Sequence, residues 1–153
     1  EYISFGKNVN IGPHARIEGT KEWHEHSYHP SLVVGDNVIF QQRCHITFCG
    51  SLSIGSNTFA AHDVMITDID HNYVVIDKPI CEQNLIIRET VIGKNCFIGS
   101  GVKIQAGTKL GRQCIVGANS VVRGEFPDYS VIVGAPAKVV KQYDSKSKCW
   151  KRV

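Results

Sequence analysis

The chemistry open to this chain centres on its seven histidines, the side chains best suited to moving a proton near neutral pH. His71 closes the run Thr67-Asp68-Ile69-Asp70-His71, which sets two carboxylates beside one imidazole. A neutral imidazole can accept the proton of a hydroxyl as its oxygen attacks a carbonyl carbon, typically worth about 10²–10⁴-fold in rate. Asp68, Asp70 or a backbone carbonyl could orient that ring, and the sequence leaves the three open. His24, His26 and His29 crowd a second stretch, a grouping that suggests metal ligands, while His14, His45 and His62 stand apart. Six bases (Lys138, Lys141, Lys146, Lys148, Lys151 and Arg152) face Asp144 alone from residue 138 onward, and the rest of the chain is net −2. Such a tail is either a solvated surface or a contact for an anionic ligand. No cysteine or serine pairs with a base in a way that argues for a covalent acyl-enzyme.

The chain's 153 residues suffice for one domain with a real core. A net charge of +3 is too small to argue for nucleic acid. No run of about 18 apolar residues suggests a membrane span, and no signal peptide is visible. The chain begins at Glu1 rather than Met, which leaves room for a trimmed upstream piece. Of the six cysteines, Cys44, Cys49, Cys81, Cys96, Cys114 and Cys149, none forms a CxxC pair. They read as reduced packing residues of a cytoplasmic protein rather than disulfides or zinc ligands.

A period of six positions these residues. Ile92, Ile98, Ile104, Leu110, Val116 and Val122 are aliphatic in unbroken succession, and glycine follows at Gly93, Gly99, Gly111 and Gly117. The same phase runs through Phe5, Ile11 and Ile17, through Val34, Phe40 and Ile46, and through Ile54, Ala60 and Ile66. Four residues after the aliphatic site stand small or β-branched residues such as Cys96, Val102, Thr108, Cys114 and Ser120. Six fits neither a helix nor a simple strand; it fits short strands with a corner every six residues. Three sides then make a coil of 18 residues, with the aliphatic residues inside and the small ones at the corners. The glycines are expected to supply backbone geometry that a Cβ would strain. Residues 18–33 and 67–91 break the phase, and the longer break reads as a loop leaving the coil, where chemistry tends to lie. Beyond Pro127 the pattern stops; Gly134-Ala135-Pro136 marks a turn, and a short helix or strand from Lys138 caps the coil. The expected organisation is one domain over 1–153, with the loop at about 67–91 and the cap at about 127–153.

The hexads, the loop containing Thr67-Asp68-Ile69-Asp70-His71, and the ending Val131-Ile132-Val133-Gly134-Ala135-Pro136-Ala137-Lys138 resemble the maltose and galactoside O-acetyltransferase family. They are similar also to its colanic-acid and O-antigen type relatives. The resemblance is best from about Val34 to Tyr143. It implies an all-β, left-handed parallel β-helix that uses acetyl-CoA and forms a homotrimer with active sites between subunits. It puts the catalytic histidine on His71. It puts acetyl-CoA contacts on Ser100, Ala118, Arg123, Gly124, Lys138 and Lys141, with Phe97 lining the groove. The oxyanion donors would be backbone N–H groups near Ser100-Gly101. Lysine at 138 and 141, where the family often has arginine, keeps a point charge for phosphate and loses the bidentate fork.

On the acceptor side the family's asparagine falls on Gln41, with Gln42 beside it; amides suit sugar hydroxyls because they donate and accept. Asp70, as a flank of His71, completes the expected substrate side. The longer amide, and the absence of the helical N-terminal segment of the maltose and galactoside enzymes, point to sugars of a cell-surface polysaccharide. Other readings remain: an amino-sugar or antibiotic N-acetyltransferase, a zinc protein like the γ-type carbonic anhydrases, or a non-catalytic scaffold. The histidine spacing does not match the zinc pattern of that anhydrase, and no metal is expected.

Overall fold

Each aliphatic residue of the hexad lies over its counterpart in the next coil. The computed structural model describes residues 2–153. Its three main sheets are the three faces of a prism. The first face stacks Phe5, Val34, Ile54, Ile92, Leu110 and Phe126. The second stacks Ile11, Phe40, Ala60, Ile98, Val116 and Ile132. The third stacks Ile17, Ile46, Ile66, Ile104 and Val122. From Val34 to Val122 each stacked residue is 3% exposed or less. Burying one such side chain is worth roughly 1.5–3 kcal/mol, so the interior column holds the coils together. Strands of neighbouring coils pair in parallel on all three faces. This is the three-sided coil that the hexads imply and the β-helix that the resemblance implies.

The corners explain the rest of the pattern, with one correction. At twelve corners the third residue after the stack residue takes φ between +52° and +81°. Asparagine occupies five of these positions (Asn8, Asn37, Asn57, Asn95 and Asn119), because it tolerates the left-handed region. Four of the five share the edge between the first and second faces and form an amide ladder. Asn8 donates to Asn37 at 3.2 Å, Asn37 to Asn57 at 3.0 Å, and Asn57 to Asn95 at 3.0 Å. The glycines that follow the aliphatic residue do not sit in the left-handed region. They are required by close approach: a Cβ on Gly55 would stand 2.5 Å from the backbone nitrogen of Lys94 in the next coil. The small fourth residue is buried in the corner as expected, at Cys96, Val102, Thr108, Cys114 and Ser120.

The coil is not uniform in length. Steps of 18 residues join Ile92 to Leu110 and Ile98 to Val116, but Leu32 to Leu52 is a step of 20 and Lys109 to Glu125 one of 16. Every irregularity falls on the edge between the third and first faces. A hairpin, Glu22–Trp23 with His26–Ser27, leaves there, and so does the long excursion after Thr67. That excursion is partly regular: Ile69–His71 pairs antiparallel with Leu85–Ile87. The cap is strand rather than helix. Ser130–Gly134, Ala137–Asp144 and Cys149–Arg152 extend the second sheet antiparallel. Lys151 beside Asp144 holds its carboxyl well below the usual range, tying the last two strands together.

Gly55→Ala is expected to destabilise the protein by about 2 kcal/mol or more through overpacking against Lys94. Asn57→Gly, which only removes ladder bonds at a φ glycine tolerates, should cost roughly 1 kcal/mol. Urea midpoints of the two variants test that order.

Candidate active site

His71 ends the strand Ile69–His71 and is exposed at the mouth of a recess of about 220 Å³ on the third–first edge. The recess is also lined by Asp70, Tyr73, Arg88 and Arg123. Neither neighbouring carboxylate orients the imidazole. Asp68 is fully buried, and its two oxygens accept the N–H groups of Cys49 at 2.8 Å and Gly50 at 2.9 Å. Burial pushes the Asp68 carboxyl up from its ordinary value, and those two donors hold it down. Its neighbour Cys49 is pushed up to about 11 by burial and by the Asp68 charge. Asp70 is clamped by two guanidiniums: Arg88, and Arg123 at 2.5 and 2.7 Å. The ring's aromatic neighbour is Trp23, edge-on at 5.6 Å between centroids.

Trp23 belongs to the short hairpin, and three bonds pin that hairpin to the excursion. The Trp23 indole donates to the Gln83 carbonyl at 3.1 Å, His24 donates to the Cys81 carbonyl at 2.6 Å, and the Leu85 N–H donates to the Tyr28 hydroxyl at 3.2 Å. Gln83, 3% exposed, spends its amide on Val75 and Lys78 and so closes the excursion on itself. The histidine cluster therefore sits in the hairpin that carries Trp23 to His71, with His24 bonded to a carbonyl.

Ser100 and Ala118 lie elsewhere, on the second–third edge. The Asn119 N–H donates to the Ser100 carbonyl at 2.9 Å, which sets residues 100 and 118 one coil apart. Gln42 and His62 continue that row, since the Asp63 N–H donates to Gln42 at 3.1 Å and the Gly101 N–H to His62 at 3.0 Å. The Gly101 N–H is thus engaged, whereas the N–H groups of Ser100 and Ala118 have no partner among the described residues. The Ser100 hydroxyl meets the His62 Nδ1 at 3.1 Å, a pairing that no motif announces. Phe97 stacks on Phe59 at 5.4 Å on the outer side of the second face, beside this row. Lys138 pairs with Val133 near the same edge, and Lys141 with Val131 farther across the second face. Gln41 and Gln42 line a recess of about 310 Å³ at the N-terminal end of this edge.

With this geometry in view, comparison with known proteins is specific. The family described as bacterial transferase hexapeptide (six repeats) matches residues 89–124. An Escherichia coli (strain K12) protein named "Putative lipopolysaccharide biosynthesis O-acetyl transferase WbbJ" is 33% identical over 157 residues, covering 98% of this chain and 76% of that protein. The chain belongs to the hexapeptide-repeat transferase family. It is an enzyme of the acetyltransferase class to which such relatives are assigned.

Two solved structures share this transferase fold. An N-acyltransferase from Bacillus cereus, AntD, in complex with dTDP and 3-hydroxybutyryl-CoA, superposes with a TM-score of 0.77 at 18% identity, covering 95% of this chain and 75% of that one. A galactoside acetyltransferase in complex with coenzyme A gives 0.72 at 23% identity, covering 94% and 66%.

In this hexapeptide-repeat transferase the expected site residues form two groups on opposite edges of the third face. Asp70, His71, Arg123 and Gly124 are on the third–first edge, and Gln41, Gln42, Ser100, Ala118 and Lys138 are on or beside the second–third edge. Arg123, expected on the cofactor side, holds Asp70 in the His71 recess. Asp70 is paired with two arginines. Trp23 and Arg88 were not legible beside His71, because Trp23 arrives by the packing of a second aperiodic segment and Arg88 by the excursion's own antiparallel pairing.

Asp68→Asn should lower stability by about 1–3 kcal/mol, because an amide brings a donor against the Cys49 or Gly50 N–H. A shifted urea midpoint at unchanged slope would report it.

Proposed function

We propose that the protein transfers the acetyl group of acetyl-CoA to a hydroxyl of a sugar in cell-surface polysaccharide synthesis, with His71 as general base. The observation that carries this reading is the pairing of an exposed imidazole with a row of unengaged backbone N–H groups on the opposite edge of the same face. The two groups are separated by the width of that face, roughly 15 Å for five extended residues. A single chain therefore divides the site, and a homotrimer in which one subunit's second–third edge meets the next subunit's third–first edge would reunite it. The tip of the excursion supports such a partner. Tyr73, Val74, Val75 and Ile76 beside His71 are 52–79% exposed, an apolar patch of the kind that marks a contact surface.

Along the second–third edge the Ala118 N–H would donate to a carbonyl of the pantetheine arm, with Phe97 as apolar wall. Lys138 and Lys141 would meet the phosphates. At the reacting end His71 takes the acceptor hydroxyl proton as the oxygen attacks the thioester carbonyl. The Ser100 N–H would stabilise the oxyanion. Collapse breaks the C–S bond, and the imidazolium returns its proton to the departing CoA sulfur. Holding both substrates in one cleft supplies much of the advantage by orientation. Trp23 and the antiparallel pairing with Leu85 keep the imidazole in place, while Asp70 fixes the excursion to the coil through Arg88 and Arg123. Gln41 and Gln42 would bind acceptor hydroxyls. Six free thiols, two of them exposed, fit a reducing cytoplasm.

His71→Ala should remove most of the turnover, about 10²–10⁴-fold, while the acetyl-CoA-induced rise in melting temperature stays near normal. Retained turnover would remove His71 from its role. Lys138→Ala should weaken acetyl-CoA binding and leave the saturated rate largely intact. Ala118→Trp should block the cofactor row, and mixed oligomers of His71→Ala with Ala118→Trp should regain activity that neither parent has. Failure of that mixture to recover activity, with mixed oligomers present, would count against a shared site.

A further inference from the structure

The third edge of the prism, between the first and second faces, carries neither half of the proposed site. At its C-terminal end lies an open recess of about 710 Å³, within the range of roughly 300–1,000 Å³ usual for small-ligand sites. Three aromatic rings from three separate segments form its wall. Tyr129 comes from the last corner, Tyr143 from the long cap strand and Trp150 from the final strand. Tyr129 and Tyr143 are 6.1 Å apart and tilted by 55°, and Tyr143 and Trp150 are 5.7 Å apart at 65°. The rings therefore make a bent wall rather than a closed stack. Tyr143 and Trp150 keep 36% and 38% of their surface in solvent.

The two charged residues that line this wall are matched to each other. Arg112 pairs with Asp128 at 2.7 Å and lies 5.1 Å over the Tyr129 ring. The same Asp128 carboxylate accepts the Arg112 backbone N–H at 2.8 Å. An anion would have to compete with that carboxylate for the guanidinium, so the recess disfavours a phosphate-bearing ligand. The Gln142 amide remains, able to donate and to accept. Exposed aromatic faces with a neutral polar rim fit a ligand that is apolar on one face and hydroxylated at its edge.

We propose that this recess is a saccharide-binding subsite, taking a neutral pyranose unit against Tyr143 and Trp150, on an edge of the prism apart from the His71 recess. Binding there is independent of the acetyl-transfer reading. That the bound sugar is a distal unit of the acceptor glycan does rest on it.

Trp150 is one of two tryptophans, so intrinsic fluorescence reports on this recess together with Trp23 beside His71, and the Tyr143 variant assigns the change. The probes are maltotriose, cellotriose and tri-N-acetylchitotriose, titrated against the full chain, with adenosine 5′-monophosphate as the charged comparison. At least one trisaccharide should give a saturable change, weakened roughly tenfold or more in Tyr143→Ala and unaltered in His71→Ala. Ligand-observed NMR with Trp150→Ala should show the same loss without relying on the fluorophore. Gln142→Ala, which leaves the aromatic wall intact, serves if either ring variant misfolds, and it should also weaken binding. Absence of saturable binding by all three sugars, equal binding in the variants, or ring-dependent binding of the nucleotide alone would each overturn the proposal. An intact binding signal in an enzyme that shows no acetyl transfer would separate this subsite from a failure of the catalytic reading.

Discussion

The clearance between successive coils governs the molecule. Paired strands lie about 5 Å apart, and where the chain turns a corner, backbone passes over backbone with no space for a side chain. Gly55, Gly93 and Gly111 answer that constraint by having no Cβ. The left-handed residue two positions after each of them answers the turn itself, at Asn57, Asn95 and Gln113. Once both demands are met at a corner, the next aliphatic residue can only drop onto the one below, and the interior column follows.

That strictness holds on two edges and is relaxed on the third. The third–first edge accepts two extra residues at Cys49-Gly50, a hairpin at 20–30 and the long excursion after Thr67. Asp68 makes this tolerable: its buried carboxylate caps the N–H groups that the widened corner leaves without coil partners. The excursion then returns on its own antiparallel pairing and is braced by Gln83 and the hairpin. The regular edges supply rows of backbone donors, and the irregular edge supplies an imidazole. The proposed reaction would need both, so its site would be divided between the two edges.

The interior was legible in the sequence because the period repeats: eighteen residues apart, Ile92 and Leu110 announce their own contact. The corner glycines were legible as necessary, though for a reason of space rather than dihedral angle. The residue that carries the turn, three places after the stack position, was not legible as such, because asparagine holds only five of the twelve corners and His14, Arg43 and Gln113 do the same work elsewhere. The aperiodic segments were not legible in the same way. Nothing in residues 18–33 says that Trp23 will meet His71, since their contact depends on two separate insertions that leave the same edge two coils apart. Asp70 and Arg123, 53 residues apart, are joined because the excursion folds back along the edge where Arg123 leaves the coil. Asp68 looked like a partner for the imidazole because it is near in sequence; in an extended strand, a residue three places away points to the opposite side.

A stack of coils is also a ruler with fixed graduations. Gln42, His62, Ser100 and Ala118 mark successive levels on one edge, and the cap strand bearing Lys138 begins just past the last of them. The span from any level to the cap can change only by a whole layer, about 5 Å at a time, since a fractional change would put side chains where the backbone crosses. An extended ligand lying along that edge would therefore be sorted by length in discrete steps, and a relative with one more layer would suit a longer arm rather than a looser fit.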